Sequence, residues 1–122
     1  MARVSTALVL IAFFVVFPSM VLATQYLVGD DLGWNGDADY EGWVADKTFF
    51  VGDVLVFNYV ATGHNVVIAT NGDNYDNCVA SPNFGVYDSG NDAITLNEAG
   101  TYYFLCSYHC DYLQQKVMVT VN

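Results

Sequence analysis

Positive charge is nearly missing from this sequence. Three Lys and Arg residues stand against 13 Asp and Glu, a formal net charge of −10, which would repel a phosphate backbone and excludes nucleic acid as a partner. Proline is scarce as well: two in 122 residues leave no linker, and no internal repeat or low-complexity tract divides the chain. Long apolar runs are limited to one. Arg3 precedes the apolar stretch Val4 to Phe17, Pro18 ends it, and Val21-Leu22-Ala23 offers a small-residue cleavage site, the order of a secretory leader. Its core of about 14 residues falls short of the roughly 20 that span a bilayer.

Residues 1–23 are therefore expected to be a signal peptide, removed to leave one domain over 24–122. The C-terminus lacks the hydrophobic tail of a lipid-anchor signal, since Val117 to Val121 is interrupted and ends at Asn122. No Asn-x-Ser/Thr acceptor occurs. A secreted monomer with no stable membrane anchor is the expectation. Without its leader the chain keeps Lys47 and Lys116, no arginine and all 13 acidic residues, a formal charge of −11. That charge reads first as solubility, and it favours cationic proteins or small molecules over anionic surfaces. About 99 residues can form a two-layer core, marginal without a crosslink or a metal.

Cysteine and histidine are few, which makes each one informative. Three cysteines leave one over after a single disulfide. Cys106 with Cys110 would close a tight loop around His109, whereas Cys78 with Cys110 would enclose about 31 residues and stabilise by roughly 3–4 kcal/mol on the chain-entropy model. The two histidines are His64 and His109.

Runs rich in valine, tyrosine and phenylalanine recur between Gly, Asn and Asp punctuation: Tyr26–Val28, Thr48–Val51, Val54–Tyr59, Asn65–Thr70, Ala93–Leu96, Thr101–Cys106 and Lys116–Val121. This spacing predicts an all-β sandwich. Val117, Val119 and Val121 alternate with Lys116, Met118 and Thr120, so one face of that strand is buried and Gln115 points inward with the valines. Residues 71–92, rich in Asn, Asp and Gly, read as irregular, with a short helical turn near Asp76. Trp34, Trp43, Phe50, Phe57, Tyr102 and Phe104 read as core.

Cys106-Ser107-Tyr108-His109-Cys110, followed by Gln114-Gln115, crowds a thiol, an imidazole and two amides into one loop where a strand leaves the sheet. With His64 at the start of another strand, the set is one thiolate, two imidazoles and a weak oxygen donor. Such a set suits copper in both oxidation states. Zinc accepts the same strong donors, but an open catalytic zinc needs a water position and usually a general base. No carboxylate is placed for that, and Asp111 reads as a solvated loop charge. A Cys106–His109 nucleophilic pair has no orienting third group. An enzyme is not expected.

Over the whole mature chain, Tyr26-Leu27-Val28-Gly29-Asp30, Gly33-Trp34, Trp43, Phe50-Val51-Gly52-Asp53-Val54-Leu55-Val56-Phe57, His64-Asn65-Val66 and the segment from Cys106 onward resemble plant phytocyanins, secreted blue-copper proteins. The resemblance implies a Greek-key β-sandwich of the cupredoxin type, one type 1 copper on His64, Cys106 and His109, and a Cys78–Cys110 disulfide. It further implies an apoplastic location and single-electron transfer with a redox partner, protein or small molecule. Gln115-Lys116-Val117 is similar to the Gln-Lys-Val segment of stellacyanin-like members, whose axial ligand is glutamine.

Two departures from the family pattern bear on the metal. Ser107-Tyr108 puts two residues between cysteine and histidine where phytocyanins usually have four, although other cupredoxins use the shorter spacing. The usual spacing beyond His109 would select Gln114, whereas the valine alternation selects Gln115, because a one-residue slip would turn the whole valine face outward. The alternatives are a metal-free extracellular binding or structural module of the early-nodulin-like kind, against which the three strong ligands argue, and copper sequestration. Asn65 is expected to tie the His64 segment to the Cys106 loop.

Overall fold

The computed structural model describes residues 22–122; the expected leader lies almost entirely outside them. Seven strands form two sheets. β1 (Gln25–Leu27), β2 (Val54–Asn58) and β5 (Asn91–Thr95) make one, in the order β1-β2-β5. β3 (Val66–Ala69), β4 (Asn83–Tyr87), β6 (Gly100–Leu105) and β7 (Lys116–Val121) make the other, in the order β4-β3-β6-β7. β1 runs parallel to β2 and every other pairing is antiparallel. The chain changes sheet between β2 and β3, β4 and β5, and β5 and β6, so neither sheet can form without the other.

Period-2 side chains fill the space between the sheets. Leu55, Phe57 and Ile94 enter from one sheet, Val66, Phe104, Val117, Val119 and Val121 from the other, and Val28, Trp34, Tyr40, Trp43 and Phe49 complete the cluster. The Trp34 ring lies 4.9 Å from that of Tyr40 and 5.0 Å from that of Phe57. Its Nε1 donates to the Asn65 carbonyl at 2.8 Å, which satisfies the one polar atom such burial would strand.

The outer face of the four-stranded sheet is covered at one end only. There α2 (Gly72–Asp76) and α3 (Cys110–Leu113) help bury a second cluster of Val67, Ala69, Tyr75, Leu105 and Cys110. Leu105 therefore faces outward into that cluster while Phe104 and Cys106 face the main core. The helix α2 answers the turn expected near Asp76. The segment 71–92 is otherwise more ordered than expected, since β4 lies within it.

Two further differences from the sequence reading are physical. Thr48–Val51 forms no ladder: only Phe49 bridges Val121, because the chain turns at once through Gly52, whose φ of +97° suits glycine. Phe50 consequently sits exposed rather than in the core. A helix, α1 (Tyr40–Ala45), was not foreseen; it spans little more than one turn and buries Tyr40 and Trp43 at i and i+3. No helix among the described residues is long and apolar enough to cross a membrane.

Candidate metal centre

Three separate segments converge at the end of the sandwich where β6 gives way to α3. Cys106 follows the last residue of β6 and is 0% exposed. The next turn is closed by the Cys110 N–H donating to the Cys106 carbonyl at 2.9 Å, which brings His109 back over the sulfur. His64 arrives from the loop between β2 and β3. One ligand atom from each of His64, Cys106 and His109 lies within 4.8 Å of the other two. Cys106 Sγ is 3.7 Å from His109 Nδ1, and the two imidazole centroids are 4.7 Å apart.

Gln115 supplies the fourth polar atom. Its side chain is 0% exposed, and His64 Nδ1 donates to its Oε1 at 3.0 Å. The Gln115 carbonyl accepts from the Cys106 N–H at 2.9 Å, so backbone pairing ties the amide to the cysteine. Gln115 Nε2 is buried without a partner. A buried amide whose carbonyl is spent on the site while its N–H groups go unmet is costly, which marks the position as one kept for its oxygen. Gln114 is elsewhere: it ends α3 in the left-handed region at φ 53°, is exposed, and its Nε2 donates to the Asp111 carbonyl at 2.9 Å.

The loop holding Cys106 and the loop holding His64 are clasped together. Asn65 Oδ1 accepts from the Ser107 N–H at 2.9 Å and its Nδ2 donates to Ser107 Oγ at 2.8 Å, the tie expected of Asn65. Cys78 and Cys110 form a disulfide, leaving Cys106 as the free, buried thiol. The disulfide therefore joins α3 to the end of α2 and holds the far side of the His109 turn.

Sequence reasoning missed two sets of neighbours. Tyr59 meets the His64 ring edge-on at 6.5 Å between centroids, and its hydroxyl donates to the buried Asp92 carboxylate. Burial first, and that bond second, push the Tyr59 phenol up to about 12. The signal was an acid at an inward position, because β5 alternates with Asp92 and Ile94 facing in. Around His109, Tyr108 and Tyr112 stand with centroids at 6.4 and 5.9 Å, both largely exposed at 62% and 74%.

The donor set suits copper: a thiolate and two imidazole nitrogens with an amide oxygen to one side combine soft and intermediate ligands with a weak axial donor. Among the described residues no carboxylate joins the cluster.

Comparison with known proteins agrees with the architecture and with the donor set. The family model described as a plastocyanin-like domain matches residues 33–114. Stellacyanin of Toxicodendron vernicifluum is 42% identical over 106 residues, covering 81% of this chain and 97% of that protein. The chain belongs to the phytocyanins. A blue copper protein of Petunia hybrida is 44% identical over 101 residues, covering 81% of this chain but 38% of that longer protein. Among solved structures, cucumber stellacyanin with Cu2+ at pH 7.0 matches this phytocyanin with a TM-score of 0.72 at 31% identity, over 82% of this chain and 96% of that one. The two-sheet sandwich is thus the cupredoxin fold.

Proposed function

We propose that this phytocyanin, secreted as residues 24–122, is a single-electron carrier holding one type 1 copper ion. His64 Nδ1, Cys106 Sγ and His109 Nδ1 would be its strong ligands and Gln115 Oε1 its axial donor. The observation that carries this reading is the convergence of those four atoms, from three segments clasped by Asn65, Ser107 and a disulfide, on one mostly buried point. A frame fixed from so many sides lets little move when the charge on the ion changes, which is what fast electron exchange requires.

His64 Nδ1 and Gln115 Oε1 stand 3.0 Å apart, so an ion held by both would take the place of that contact. With copper bound, His64, Cys106 and His109 would hold the ion as neutral imidazoles and a thiolate, and the copper would supply one-electron redox chemistry. His64 and His109 are both half-buried, and His109 stands between the exposed Tyr108 and Tyr112, which favours its side as the place where a redox partner would meet the site. No bond-making on a substrate is proposed; release to the apoplast follows from the leader, and the carrier is taken to act as a monomer.

Cupric titration tests the reading. One equivalent should produce the intense blue thiolate-to-copper absorption and abolish the free thiol. A colourless protein whose Cys106 still reacts after unfolding would make it a metal-free module, and a blue protein that exchanges electrons slowly would make it a copper store.

A further inference from the structure

Asp53 is a buried charge without a counter-charge. It is 2% exposed and ends the Phe50–Asp53 turn, one residue before β2. Its Oδ2 accepts from the Phe50 N–H at 2.9 Å and its Oδ1 from the Thr24 N–H at 3.0 Å. Two amide donors satisfy its geometry and leave its charge unneutralised, a costly state for a carboxylate removed from water. Neither lysine serves it. Lys47 is held by the Trp43 carbonyl and by Asp46, the one ion pair among the described residues. Lys116 is held by the carbonyls of Tyr75 and Asp76.

The donor at Oδ1 is the nitrogen at which the leader is expected to be cut. We infer that hydrolysis of the Ala23–Thr24 bond supplies the missing cation, so that removal of the leader completes a partly buried ammonium–carboxylate pair between Thr24, at the surface, and the buried Asp53. Water's hydroxyl goes to the Ala23 carbonyl, which leaves as a carboxylate, and Thr24 nitrogen takes up the protons that make it an ammonium. The nitrogen needs no journey. Thr24 is pinned on its other side as well, its carbonyl accepting from the Val54 N–H at 2.9 Å, and β1 pairs with β2 from Gln25 onward. Leu22 and Ala23 are exposed, so neither of these two residues contributes to the core.

A charged donor roughly doubles the strength of a hydrogen bond, and here it also neutralises a buried acid. Processing would therefore do more than release the protein: it would lock the first strand to its sheet, and an uncut or miscut chain would fold less stably. Copper plays no part in this pair, so the inference stands or falls apart from the electron-carrier reading and rests on the leader alone.

The full chain, expressed with its leader in a secreting plant cell, should yield protein whose N-terminal sequencing begins at Thr24; another start overturns the assignment. Recombinant chains starting at Thr24 and at Ala23 are then compared by thermal unfolding. The Thr24 chain should melt higher by about 4–8 °C, the scale on which one such contact moves a domain of this size. D53N should erase the difference. Should D53N not fold, Nα-acetylation of the Thr24 chain, which removes the charge and keeps the amide donor, should bring it down to the Ala23 chain. Equal melting of the two chains, a difference that survives D53N, or an acetylated chain as stable as the free amine overturns the inference.

Discussion

Two neighbouring glutamines are separated in role by one backbone angle. Gln114 takes φ 53° and ψ 39° at the end of α3, which reverses the chain and delivers Gln115 to the buried face. An amide oxygen is harder than a thioether and favours the cupric state. Gln115→Met is therefore expected to raise the reduction potential by about 59 mV for each tenfold preference gained by the cuprous state. Gln114→Met, on the surface, should leave it unchanged; cyclic voltammetry on both variants reads the difference. Tyr59 and Tyr75 carry a second expectation. Both phenols are pushed from 10.0 to about 12, chiefly by burial, so the folded state holds their protons more tightly than the unfolded one. Their contribution is complete below pH 10 and is lost as pH rises toward 12. Denaturant unfolding between those limits should show falling stability, and Tyr75→Phe should make the fall shallower.

At the scale of elements, the site is held by ties between segments rather than by any one of them. Ser107→Ala removes the acceptor of Asn65 Nδ2 and leaves a buried amide unmet, a cost of about 1–3 kcal/mol measurable by chemical unfolding. Replacing Cys78 and Cys110 by serine opens a loop of sequence separation 32 and should cost about 3–4 kcal/mol. It should also weaken metal binding, since α3 would lose its anchor beside His109, and competition with a chelator measures that loss. What could be read from sequence follows the same division. β7 was legible because one face is buried throughout, and the same valine alternation placed Gln115. His64, Cys106 and His109 stood out because His and Cys are so rare here. β4 was not legible: it is an edge strand, exposed on most of its length, with Gly85 at its centre, so no apolar period marks it. α1 is too short to show a helical period, and only Asp39, whose carboxylate accepts from the Gly42 N–H, announces it. The Tyr59–Asp92 contact joins residues 33 apart at the end of the long-range β2–β5 pairing, which local pattern does not reveal.

For the molecule as a whole, charge governs how others meet it. With the leader removed as proposed the charge would be −11, and with both lysines engaged the surface would offer a partner almost nothing but negative potential around its exposed aromatic residues. Electron exchange with a small cationic complex should be faster than with an anionic one of equal driving force. The cationic rate should fall as ionic strength rises through about 0.1 M, where the screening length is about 10 Å; stopped-flow rates over a salt series check it. Enclosure of the Cys106 sulfur bears on a different matter, that of timing. An unshielded thiol outside the cell is soon consumed by oxidants and by exchange with other disulfides. Here the other two cysteines are already joined, and the third lies sealed behind its own fold. Secreted as proposed, the protein would therefore keep that thiol intact in an oxidising medium before the ion arrives, and delivery of the ion would not need to be synchronised with synthesis.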